Sequence, residues 1–85
     1  MKFEFKPSFD RSVKAFHDSE KEEMKALAIQ LIQIHKGIGL KRLRGNSWEA
    51  RKGLKTRILF RWDGELVEFL LAGNHDDVHR FLKAH

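Results

Sequence analysis

Two histidines near the end of the chain have a spacing that suits proton-transfer chemistry. His75 and His79 lie four residues apart in a segment with helical periodicity, so their imidazoles are neighbours on one flank of the predicted helix. Histidine changes protonation near neutral pH, and it can therefore both accept and donate a proton. We interpret the pair as a candidate acid and base, although two histidines without a chemical role at the border of a core would give the same pattern.

Three arginines are candidates for holding a phosphate. Arg57 and Arg61 fall on one face of a predicted strand, because side chains alternate along a strand. Ile58 and Phe60 fall on the opposite face. Arg51, in the preceding strand, can face the same way as the other two arginines. Guanidinium groups bind phosphate oxygens in bidentate geometry, but a solvated outer face of a half-buried sheet is the alternative interpretation.

Together these residues suffice for cleavage of RNA without a metal ion. In such a reaction the 2′-hydroxyl attacks the adjacent phosphate while a base removes its proton and an acid protonates the leaving 5′-oxygen. His75 and His79 could supply the proton transfers. Arg51, Arg57 and Arg61 could stabilise the charge that develops around phosphorus. We expect neither a metal nor another cofactor.

A zinc site is the other chemistry that the histidine spacing suggests. Two histidines four residues apart, with acids between them, resemble the H-E-x-x-H helix of zinc hydrolases. Here the acid is aspartate and the pair opens a short helix, so we do not favour zinc hydrolysis. The chain has no cysteine, which excludes disulfides and thiolate metal sites.

Positive charge is concentrated in the middle of the chain. Residues 36–61 carry nine Lys and Arg against a single acid, a net charge of +8, whereas the remainder of the chain carries −3. Clustered cations are typical of proteins that bind polyanions, and nucleic acid is the partner we expect. The candidate RNA- or phosphate-binding residues of this segment are Lys41, Arg42, Arg44, Lys52, Lys55 and Arg61.

The hydrophobic periodicity predicts a single α+β domain over residues 1–85, a length that allows one core. The predicted order is β-α-α-β-β-β-(β)-α, with an antiparallel sheet, a hairpin of two N-terminal helices packed on it, and a C-terminal helix. Asp63-Gly64 predicts a β-hairpin, and Asn74 predicts the start of the last helix. The strands are predicted at 2–6, 40–44, 48–52, 54–62 and 65–72, and the first helix at 7–17.

The second helix is predicted to start near Ser19 with a capping box and to end at Gly37. Its buried stripe is predicted to be Met24, Leu27, Leu31 and Ile34, with Ala28 and Ile32 beside it. The longest stretch without a charged residue, at 26–34, is far shorter than a membrane span, and we see no apolar core of a signal peptide. We therefore expect a cytoplasmic protein with no membrane partner.

The order of motifs along the chain resembles that of the RelE/ParE superfamily of type II toxin–antitoxin systems. Its members carry L-x-G, then W/Y-E-x-R, then an arginine before an apolar pair, and finally a G-x-[R/H]-x-x-V-Y tail. Each motif is short, and it is their succession over nearly the whole chain that carries the resemblance. The matching segments are GLKRLRG at 39–45, WEAR at 48–51, TRILF at 56–60 and LAGNHDDVH at 71–79.

The resemblance implies a compact sheet with two helices on it and a basic concave face. RelE-type members cleave mRNA in the A site of the 30S ribosomal subunit, and ParE-type members inhibit DNA gyrase. A cognate antitoxin protein holds both types inactive. We therefore expect a toxin that stops translation as an mRNA endoribonuclease. A gyrase inhibitor without enzymatic activity and an inactive RNA-binding relative are the alternatives.

The resemblance also implies roles for particular residues. Arg57 matches the arginine that contacts the scissile phosphate, and Arg51 matches the second of two paired basic residues. The first of that pair falls at Glu49, a departure that leaves Glu49 either a base or a residue outside the chemistry. The terminal tyrosine of the family falls at His79, and a nearby cationic position falls at His75. The chain contains no tyrosine, so a tyrosine-based mechanism is excluded.

Overall fold

The computed structural model describes residues 2–16, 21–33, 40–52 and 56–84, and these form an α+β fold of five strands and three helices. The predicted order of elements is confirmed, and most predicted ends differ from the observed ones by one or two residues. The helix start predicted near Ser19 and the helix end predicted at Gly37 lie outside the described residues. The elements are β1 (Lys2–Phe5), α1 (Pro7–Phe16), α2 (Lys21–Gln33), β2 (Leu40–Arg44), β3 (Ser47–Lys52), β4 (Thr56–Asp63), β5 (Leu66–Gly73) and α3 (His75–Ala84).

The five strands form one sheet in the order β1-β5-β4-β3-β2. Strands β2 to β5 are an antiparallel meander, as predicted. The prediction of a wholly antiparallel sheet is wrong, because β1 lies parallel to β5, with Phe3 opposite Val67. Alternation of side chains defines the two faces of a strand, but it does not define the neighbour or its direction.

Two glycines lie in those turns of the meander that the structure describes. Gly45 follows β2 and Gly64 follows β4, with φ angles of 55° and 59°. This left-handed conformation is one that glycine adopts without steric cost, and it matches the twist of two antiparallel strands joined by a two-residue turn. The hairpin predicted at Asp63-Gly64 is confirmed.

Helices α1 and α2 cover one face of the sheet and bury the larger part of the core. Phe69 of β5 lies at the centre of an aromatic cluster, with ring centroids 4.8 Å from Phe5 and 6.0 Å from both Phe3 and Phe9. The Phe60 ring lies 6.2 Å away on β4. Alternation along the strands places these rings together on the helix-covered face.

We expect Phe69→Ala to lower the free energy of unfolding by about 3–5 kcal/mol, because the cavity would lose contacts with four neighbouring rings. Equilibrium urea unfolding measures this change. Phe69→Leu is the control, since it keeps an apolar side chain and should cost much less. An alanine variant as stable as the wild type would contradict the central place of Phe69 in the core.

The buried stripe of α2 differs from the prediction. Met24, Ala28 and Ile32 are buried, whereas Leu27 is half-buried. The stripe therefore follows every fourth residue, and Ala28 lies in the core together with Met24 and Ile32. The side chain of Leu31 and the whole of Ile34 lie outside the described part of the chain.

Helix α3 packs on the opposite face of the sheet. Leu59, Leu70 and Val78 are buried there, and Leu43, Leu71, Phe81 and Leu82 pack around them. Leu70 is an extra residue in β5, since Leu59 pairs with Leu71 and Phe60 pairs with Phe69. The predicted alternation in β4 is confirmed, because Ile58 and Phe60 lie in the core on the face that α1 and α2 cover. No helix in the described ranges is both long and apolar enough to cross a membrane.

Candidate active site

A hollow of about 330 Å³ lies between α3 and the strands β2, β3 and β4. Apolar side chains form part of its lining and charged or titratable side chains form the rest. It contains His75 and His79 and, of the three strand arginines that were candidates for holding a phosphate, Arg57. The lining residues are Lys41, Leu43, Arg44, Glu49, Arg57, His75, Val78, His79, Leu82 and Lys83.

The start of α3 is fixed by a reciprocal pair of hydrogen bonds. The Asp77 backbone N–H donates to Oδ1 of Asn74 at 2.8 Å, and the Asn74 backbone N–H donates to Oδ2 of Asp77 at 2.9 Å. Asn74 is thus the N-cap, as predicted. A Cβ atom at Gly73 would lie 2.6 Å from Oδ2 of Asp77, so the glycine permits this close approach. The cap determines where His75 enters the hollow.

We expect Asn74→Ala to lower the free energy of unfolding by about 1 kcal/mol, because the Asp77 N–H loses its acceptor. The change is measured by urea unfolding. Asn46→Ala is the matched control, since Asn46 lies in an exposed turn and accepts the Trp62 N–H through its backbone carbonyl. Equal stability of Asn74→Ala and the control would show that the cap contributes nothing.

The two histidines lie side by side on the flank of α3 that borders the hollow. Their ring centroids are 4.3 Å apart, the rings are tilted by 53°, and both residues are exposed. The spacing of four residues brings them together, as the sequence predicted. Both imidazoles can therefore approach one bound group.

An ion pair between a half-buried arginine and a buried glutamate faces them from the sheet. Nη1 of Arg57 donates to Oε1 of Glu49 at 2.6 Å, with 16% of the arginine side chain and 5% of the glutamate side chain exposed. Nε of Arg57 is buried and has no hydrogen-bond partner within the described ranges. Strand register explains the pairing: Glu49 on β3 lies opposite Leu59, two positions from Arg57 on the same face of β4.

Three further cations line the hollow. Lys41 and Arg44 were candidates from the sequence, and Nη2 of Arg44 also donates to the carbonyl of Leu82 at 2.7 Å, which links β2 to α3. Lys83 was not a candidate. It follows His79 by four residues, as His79 follows His75, and this regular spacing could have identified it.

Other candidate residues lie outside this lining. Arg51 is exposed and pairs in register with Arg57 across β3 and β4. Arg42 is exposed, and its Nε donates to the Gly45 carbonyl at 2.7 Å. Of Lys52 only the backbone is described, and Lys55 lies outside the described residues.

Arg61 belongs to a separate ion network around Glu68. The Glu68 carboxylate lies 3.7 Å from Nη1 of Arg61 and 2.8 Å from Nζ of Lys6. The hydrogen bond and charge of Glu68, together with the charge of Glu4, raise the pKa of the Lys6 ammonium above its ordinary value. Glu68 thus offsets the charge of Arg61, whereas Glu49 offsets that of Arg57.

No family model, no curated protein and no solved structure matches the chain. Within the ranges that the structure covers, no group of three or more His, Asp and Glu side chains is placed to hold a metal ion. The geometry of the hollow and the resemblance of motifs are therefore the features that bear on function.

Proposed function

We propose that the protein is the toxin of a type II toxin–antitoxin pair, a RelE/ParE-type endoribonuclease that cleaves mRNA on the ribosome without a metal ion. One observation carries the proposal: Arg57, His75 and His79 line the same hollow. Arg57 comes from strand β4, and the two histidines come from helix α3, which packs on that face of the sheet. An arginine suits phosphate binding, and two histidines suit proton transfer.

The hollow can support cleavage by the 2′-hydroxyl of the RNA itself. One imidazole takes the 2′-hydroxyl proton as that oxygen bonds to phosphorus, and the other gives a proton to the departing 5′-oxygen. The products are a 2′,3′-cyclic phosphate and a free 5′-hydroxyl. Arg57 stabilises the negative charge that develops on the phosphate during attack. Lys41, Arg44 and Lys83 bind the neighbouring RNA backbone.

The architecture also supports the proposal. Two N-terminal helices cover one face of the sheet, and the cationic hollow lies on the other face. The resemblance to the superfamily implies two helices on a sheet and a basic concave face. In this proposal a cognate antitoxin keeps the toxin inactive, and the site of action is the bacterial cytoplasm.

The decisive experiment maps cleavage of mRNA by the purified protein, with and without ribosomes, by primer extension. New 5′ ends that depend on ribosomes are the expected result, and expression without an antitoxin should stop translation. Bound RNA with no new ends would instead indicate an RNA-binding relative without activity. Intact mRNA together with loss of DNA supercoiling would indicate a gyrase inhibitor. Either of these results would overturn the proposal.

A further inference from the structure

Glu49 is a carboxylate in a position that normally suits an apolar residue. It lies on β3 between Lys41 on β2 and Leu59 on β4, and it is 4% exposed. Burying a carboxylate is strongly unfavourable unless a partner compensates. Arg57 is that partner, and the pair it makes with Glu49 forms part of the wall of the hollow.

The contact leaves Arg57 able to bind an anion. A guanidinium has five N–H donors in a planar fork, and one of them is used by Oε1 of Glu49 at 2.6 Å. This contact with the carboxylate restricts the orientation of the guanidinium. The Nε donor is buried, but the remaining Nη donors can face a phosphate without the cost of ordering a long side chain when it binds.

The same contact makes Glu49 a poor choice for the proton acceptor. A general base must come within about 2.6–3.2 Å of the proton's parent atom. Only 5% of the Glu49 side chain is exposed, and one of its oxygens already accepts from Arg57. His75 and His79 are exposed beside the same hollow, so a ligand can reach them directly.

We propose that Glu49 is a positioning residue: it holds the Arg57 guanidinium in the orientation that binds the scissile phosphate, and it takes no part in proton transfer. The inference rests on the proposed ribonuclease function and assigns separate roles to the residues of that site. The two imidazoles transfer protons, Arg57 binds phosphate, and Glu49 acts through Arg57.

Glu49→Gln and Glu49→Ala separate positioning from base catalysis. Glutamine keeps an oxygen that can accept from Arg57 but cannot act as a base, and alanine removes both properties. Glu68→Gln is the matched control, because Glu68 is another partly buried carboxylate with cationic partners on this sheet. Each variant is measured for single-turnover cleavage and for affinity to a 2′-O-methyl RNA of the same sequence, which has no nucleophile.

A positioning role predicts that Glu49→Gln binds this RNA nearly as well as the wild type and cleaves within about tenfold of its rate. Glu49→Ala should weaken binding by about tenfold or more, the value of a charge-assisted hydrogen bond. If both variants bind normally and both lose about 10²–10⁴-fold in cleavage, Glu49 is the base and the inference is wrong.

A second substitution covers the case in which the alanine variant does not fold. Glu49→Asp keeps a carboxylate but draws its oxygens back from Arg57 by one carbon, so a positioning role predicts weaker RNA binding. Normal binding with slow cleavage would overturn the inference. If the wild type cleaves no RNA, the proposed function fails, whereas the comparison of binding between Gln, Ala and Asp variants still decides what Glu49 does.

Discussion

His75→Ala and His79→Ala should each slow RNA cleavage by about 10²–10⁴-fold, because each removes one of the two proton transfers. The centroids of the two imidazole rings lie 4.3 Å apart, and both residues line the hollow. Single-turnover cleavage of mRNA on stalled ribosomes measures the effect. Affinity for 2′-O-methyl RNA should change far less than the rate.

Arg80→Ala is the matched control for the histidine variants. Arg80 lies on the same helix with 76% of its side chain exposed, and its contact with Asp77 is a surface ion pair of small energy. It should cleave at nearly the wild-type rate. If both histidine variants cleave as fast as Arg80→Ala, the imidazoles are not the acid and base, and the hollow is only a binding site.

The features that sequence predicted well are local ones. Alternation placed Ile58 and Phe60 on one face of β4, opposite Leu59 and Arg57, and the structure buries the apolar residues in two separate cores. The helical spacing brought His75 and His79 together in the same way. Both patterns depend only on backbone periods of two and 3.6 residues, which act within a single element.

The features that sequence could not give depend on register and on pairing between distant segments. The contact of Glu49 with Arg57 requires Glu49 to lie opposite Leu59, and a shift by one residue would turn it to the other face. Hydrophobic periodicity likewise does not indicate which strand β1 pairs with, or that the two strands are parallel. In α2, tertiary packing buries Ala28 more completely than Leu27.

The same pairing makes Arg57 important for folding as well as for chemistry. We expect Arg57→Ala to reduce cleavage by about 10²–10³-fold, the usual loss when one group that stabilises transition-state charge is removed. It should also lower the free energy of unfolding by about 3–5 kcal/mol, because a buried Glu49 carboxylate would be left without its partner. Single-turnover kinetics and urea unfolding measure the two effects separately.

The double variant Glu49→Gln/Arg57→Gln distinguishes these effects within one site. It removes both charges, so no unpaired carboxylate stays buried and part of the lost stability should return. Cleavage should stay as low as in Arg57→Ala, because no guanidinium faces the phosphate. Recovery of cleavage together with stability would mean that Arg57 only supports the fold. A double variant that stays as unstable as Arg57→Ala would mean that the unpaired carboxylate is not the source of the destabilisation.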